Sequence, residues 1–91
     1  MYKTLDIYPG KYYNVKRFSH NRESMELDNN VREIRRQKGL TQEQLAKNTD
    51  VTRQTIISTE KGYYVPSVKF ALVLSKELGT PITELFWLTE Q

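Results

Sequence analysis

Residues 39–62 read GLTQEQLAKNTDVTRQTIISTEKG, and this stretch decides the fold. Thr41-Gln42-Glu43-Gln44 has the form of a capping box, with a Thr N-cap and a Gln three residues on that can satisfy each other's backbone donors. It opens a helix running to about Asn48. Asp50 follows where the chain must turn sharply, and Asp tolerates the left-handed region better than most residues other than Gly. Thr52 then caps a second helix, which runs to Lys61 and is closed by Gly62. A turn of about three residues between two short helices lays the second across the first. Leu40, Leu45, Ala46, Val51 and Ile56 fall at the inward positions that hold the pair together.

The outward positions of the second helix carry Thr52, Arg53, Gln54, Thr55 and Ser58. These are the side chains that read base edges in a major groove: Arg bidentate to guanine, Gln bidentate to adenine, Thr and Ser to either. Lys61, from the surrounding basic cluster, completes the contact set for double-stranded DNA expected from these residues.

Working outward, Val31 and Ile34 mark one face of an earlier helix. Asp28, Asn29 and Asn30 are its N-cap candidates, and Gly39 is its end. Downstream, Pro66-Ser67 introduces a helix with Phe70, Ala71, Leu72, Leu74 and Leu78 apolar, ended by Gly79. Thr80-Pro81 reads as an N-cap followed by proline at the first helical position of a short fifth helix that reaches about Phe86. Phe86, Trp87, Leu88 and Thr89 are β-prone. Met25–Asp28 is expected to run beside Phe86–Thr89 as a small sheet. The expected fold is therefore all-α, with five helices and a small β element.

The four segments REIRRQKGLTQEQLA (32–46), VTRQTI (51–56), EKGYYVPS (60–67) and LGTPITELF (78–86) together resemble the Cro/CI-type (Xre) helix-turn-helix regulators, especially the short single-domain members. The resemblance spans residues 25–88 and implies a lambda-repressor-like domain. It implies that Gln42 contacts phosphate and supports base recognition, that Arg53 and Gln54 are the base-reading pair, and that Ser58 faces base or phosphate one turn on. It implies a structural role for Glu60, paired with an arginine of the first helix, either Arg35 or Arg36. The sequence departs from the family pattern in three places. Thr49 and Thr59 stand where apolar residues are usual, which implies a looser domain unless their hydroxyls bond back to the preceding turn. Asp50 stands where Gly is common. Ile57 replaces a small polar residue, to meet a thymine methyl or simply to be exposed.

Composition narrows the function. The 91 residues suffice for one domain. There is no cysteine and one histidine, His20, so neither a thiolate metal site nor a nucleophile–base pair is available. No metal, cofactor, small-molecule ligand or enzymatic activity is expected. No apolar run approaches the roughly 20 residues that span a bilayer, so the cytoplasm is the expected compartment. The net charge of +3 sits in residues 1–24; residues 25–91 balance nine basic against nine acidic side chains. Seven of those nine basic residues lie between Arg32 and Lys61. That segregation suits one face turned to phosphate.

Residues 1–24, with Tyr2, Tyr8, Tyr12, Tyr13 and a Pro9-Gly10 turn signal, stand apart as an N-terminal extension before a domain at 25–91. Three readings stay open for them: a docked β-hairpin, a basic arm following DNA, or an extension foreign to the domain. One helix-turn-helix of this size reads only a few base pairs, so a homodimer on a two-fold operator is expected, with Phe86, Trp87 and Leu88 as its seam. The expected function is a transcriptional repressor. The alternative is an antitoxin-like protein whose N-terminal segment binds a partner protein while the helix-turn-helix autoregulates its operon.

Overall fold

The computed structural model describes residues 25–90. The readings made for residues 1–24, His20 included, lie outside the described residues. The chain runs β1 (Met25–Asn29), α1 (Val31–Gln37), α2 (Gln42–Asn48), α3 (Arg53–Glu60), α4 (Val68–Leu78), α5 (Ile82–Leu85) and β2 (Phe86–Glu90). The two strands pair antiparallel in the register Met25↔Glu90, Leu27↔Leu88, Asn29↔Phe86, so the first and last described segments close the domain together.

Local chemistry sets the helix boundaries. Both halves of the Thr41–Gln44 capping box form, with the Gln44 amide donating to Thr41 Oγ1 at 3.0 Å and the Thr41 amide donating to Gln44 Oε1 at 2.8 Å. Thr52 and Ser67 cap α3 and α4 through their hydroxyls. The ends of α1 to α4 share one device. A residue at positive φ follows the last turn, and two amides bond back to carbonyls that the helix leaves unpaired. At three of these ends the residue is glycine. At the fourth it is Asp50, φ 60°, with its amide donating to the Lys47 carbonyl and the Val51 amide to Ala46. The left-handed region crowds Cβ against the carbonyl. Asp50→Gly is therefore expected to raise stability by about 0.5–1 kcal/mol, seen as a higher urea midpoint at unchanged slope. A lowered midpoint would show that the aspartate side chain outweighs the strain.

Two expected caps fall differently. Asn30 occupies the cap position of α1 without a side-chain bond; Asn29 Oδ1 accepts the Val31 amide instead, at 3.1 Å. At α5 the cap position belongs to Pro81 and the helix begins at Ile82. The Thr80 hydroxyl donates backward to the Leu78 carbonyl, at 3.0 Å, and accepts no amide from the helix ahead. That helix ends at Leu85, and Phe86 already has extended geometry.

Val31, Leu45, Ile56, Leu74, Leu78 and Leu85 form a core from which solvent is wholly excluded, with Ala46 and Phe70 beside them. Ile34, Leu40, Val51 and Phe86 pack around it, so the inward residues read for α2 and α3 all lie in or against the core. Thr49 and Thr59 are buried as the register demands, and each hydroxyl donates to the carbonyl four residues back at 2.7 Å. These bonds satisfy the groups that would otherwise be costly in an apolar setting, so the two threonines fill core positions without orphaned donors. Leu72, apolar in sequence, lies on the outer side of α4 and is 54 % exposed.

Candidate nucleic-acid interface

The turn at Asp50 and Val51 brings the N-terminus of α2 and the length of α3 to one side of the domain. Arg53 and Gln54 occupy the first two positions of α3, and both are exposed. Gln54 donates to Ser58 Oγ at 3.3 Å, one turn on and half-buried. Thr52 is exposed, but its oxygen accepts the Thr55 amide at 3.2 Å and lies 3.0 Å from the Thr55 hydroxyl. Both threonines are thus engaged in starting the helix. Lys61 is exposed past the end of α3, with its ammonium 6.0 Å from the Tyr63 ring centre.

Beside α3 lies a concavity of about 610 Å³ between α1, the start of α2 and α3. Arg32, Arg35, Arg36, Arg53 and Lys61 line it against only Glu43 and Glu60. Gln42 and Ile57 also face it, so Ile57 is neither core nor freely exposed. The sequence clusters the basic residues between positions 32 and 61, which suggests one basic face; folding gathers five of them around a single hollow, where low-dielectric walls strengthen the field felt by an anion.

At the base of the hollow Arg35 and Glu60 pair. Arg35 Nε donates to Glu60 Oε2 at 2.6 Å and Nη2 donates to Oε1 at 3.3 Å, while Nη1 donates to the Leu40 carbonyl at 2.8 Å. The two side chains are 8 % and 3 % exposed. Of the two arginines left open by the sequence, Arg35 is the partner, because it follows Val31 by four residues on the buried face of α1. Gln42 donates to Glu60 Oε1 at 3.1 Å, and Arg53 Nη2 donates to Gln42 Oε1 at 3.4 Å. Farther back, Asn29 Nδ2 donates to the Thr59 carbonyl at 3.0 Å, a tie between β1 and α3 that no local sequence signal announces.

Phe86, Trp87 and Leu88 all lie on β2. Phe86 packs on the core, Trp87 is 39 % exposed and Leu88 61 %. Successive strand residues point to opposite faces. Leu88 therefore shares a face with Phe86 and with its cross-strand partner Leu27, whereas Trp87 stands on the other face opposite Asp28.

Two short helices joined by a tight turn, the second opening with exposed Arg and Gln beside a cationic hollow, define a helix-turn-helix DNA-binding domain. The chain belongs to the Cro/CI-type helix-turn-helix family of transcriptional regulators; the helix-turn-helix family HTH_3 matches residues 31–85. It is similar to the HTH-type transcriptional regulator YgzD of Bacillus subtilis (42 % identical over 65 residues, 71 % of this chain and 98 % of that one). It is similar also to an HTH-type transcriptional regulator of Methanothermobacter thermautotrophicus (49 % identical over 61 residues, 66 % and 88 %). Among solved structures it resembles the restriction-modification controller protein C.AhdI of Aeromonas hydrophila (33 % identical, TM-score 0.57, 59 % of this chain and 82 % of that one). The fold is shared with the clp gene regulator ClgR of Corynebacterium glutamicum (24 % identical, TM-score 0.56), of which the match covers 56 %.

Proposed function

We propose that this protein is a sequence-specific transcriptional repressor, working in the cytoplasm, that binds a palindromic operator as a homodimer. The observation that carries the reading is the pair Arg53 and Gln54, exposed at the head of α3. The cationic hollow beside them accepts the phosphate backbone flanking the bases. Ser58 and Lys61 extend the contacts along α3, Gln42 supplies one from α2, and Thr52 and Thr55 hold the helix start at the groove. Arg53→Ala or Gln54→Ala is expected to cost about 1–3 kcal/mol on an operator selected from randomised duplexes, and to relax preference at one base pair. Mutants that bind operator and random duplex as the parent does would remove α3 from the groove.

The second copy is proposed to pair along β2. Among the described residues β2 has β1 as its sole strand partner, and antiparallel pairing across a two-fold axis would draw in Trp87 from one face and Leu88 from the other. Partly exposed aromatic and aliphatic side chains on an open strand are the composition of an interface core. Trp87→Ala is expected to weaken dimerisation by about 2–4 kcal/mol. Sedimentation equilibrium checks this, and a mutant that dimerises as tightly as the parent would move the seam elsewhere.

A further inference from the structure

Among the side chains that α3 turns outward, Ile57 is the one that cannot hydrogen-bond. At about 100° per residue it falls between Arg53 and Gln54 around the helix, and about one turn farther along it. Its side chain is half-buried and lines the cationic hollow. Leu40, the other aliphatic side chain there, packs against the core; Ile57 does not. Neither folding nor phosphate therefore accounts for it. A phosphate oxygen needs a donor or a cation, and isoleucine supplies neither. Its apolar surface gains only when another apolar group covers it. The edge of a base pair in the major groove offers one such group, the methyl on C5 of a pyrimidine.

We infer that Ile57 reads a C5 methyl group in the operator, carried by thymine or by 5-methylcytosine, beside the base pair met by Arg53. The inference rests on the reading that α3 lies in a major groove. Four residues of helix rise about 6 Å, the height of about two base pairs, which sets the distance between the two contacts. A β-branched side chain is stiff at χ1 in a helix, so its methyl groups are presented at little cost in rotamer freedom. Covering one methyl on the base is worth about fourfold in affinity in each half-site. An operator with cytosine at that place is thus bound more tightly once the cytosine is methylated.

The test compares duplexes that differ by that one group. Binding of the full chain is measured on the selected operator, on copies with single thymines replaced by deoxyuridine, and on copies with cytosine or 5-methylcytosine at the same places. At one thymine, deoxyuridine should weaken binding by about fourfold, and 5-methylcytosine should outbind cytosine there by about the same factor. Ile57→Ser should bind both members of each pair equally, and Ile57→Val should keep the parent's order. Because Ile57 lies outside the core, Ile57→Ser should melt close to the parent. A parent indifferent to every methyl, or an Ile57→Ser protein that discriminates as the parent does, overturns the methyl reading. Loss of base preference by Arg53→Ala would in that case leave α3 in the groove. If Arg53→Ala binds operator and random duplex as the parent does, the DNA reading itself falls.

Discussion

Glu60→Ala is expected to destabilise the domain by about 3–5 kcal/mol. The carboxylate is 3 % exposed and its partner guanidinium 8 %. With the carboxylate gone, Arg35 keeps its bond to the Leu40 carbonyl but holds a cation in a nearly dry site with no counter-charge. The desolvation cost of that charge, rather than the loss of one attraction, makes the effect large. Small domains have about 5–15 kcal/mol in total, so such a loss takes away a large share. Urea unfolding followed by far-ultraviolet circular dichroism measures it. The pair Arg35→Met with Glu60→Leu, which removes both charges and keeps volume, should recover most of the loss. A Glu60→Ala midpoint within about 0.5 kcal/mol of the parent, the range of an ordinary surface change, would mean that water reaches the site.

Leu74→Ala is expected to cost about 2–5 kcal/mol. Leu74 lies in mid-α4 with no exposed surface, among Ile56, Phe70, Leu78 and Leu85 in the one core of the domain. Truncation loses the transfer energy of the removed carbons and leaves a void that close-packed neighbours fill only in part. Leu72→Ala, two residues away on the same helix, removes the same atoms from a side chain already 54 % exposed, and should change stability by less than about 0.5 kcal/mol. Melting curves for the two variants form an internal comparison. Equal losses would show that α4 is rotated from the orientation described.

The contrast between those two leucines shows where sequence reading succeeds. Helix starts and ends are decided by neighbours three or four residues apart, so Thr41, Thr52, Gly39 and Gly62 announced α1 to α3 directly. Spacing alone could also have separated Arg35 from Arg36, since only Arg35 continues the face begun by Val31. The same holds for Leu72 against Leu74. Thr80-Pro81 reads as a helix start because proline fits the first position, but the Thr80 hydroxyl donates to the nearer carbonyl behind it. The candidate site divides the same way. Arg53 and Gln54 were legible because a cap and a turn place them. The hollow beside them gathers residues of three helices, and the chain from Arg35 through Glu60 and Gln42 to Arg53 links residues 11 to 25 positions apart in sequence, distances at which local pattern carries no signal. Trp87 and Leu88 stand on opposite faces of β2 by period-two geometry, so a seam that uses both runs along the strand edge.

The Asn29 side chain makes two hydrogen bonds that meet at one corner of the fold. The residue ends β1, turns the chain into α1 through the Val31 amide, and ties that corner to the last turn of α3. The ribbon and the reading helix are thereby braced as by a strut. Were two copies to pair along β2 as proposed, two such struts would brace the pair, which would then work as a caliper whose jaws are the two copies of α3. A caliper with stiff arms measures distance. One base pair inserted between half-sites turns the far one by about a tenth of a helical revolution, which a braced pair cannot follow. Asn29→Ala would loosen the jaws, so operators of altered spacing should gain relative to the native one while the bases chosen within each half-site stay the same.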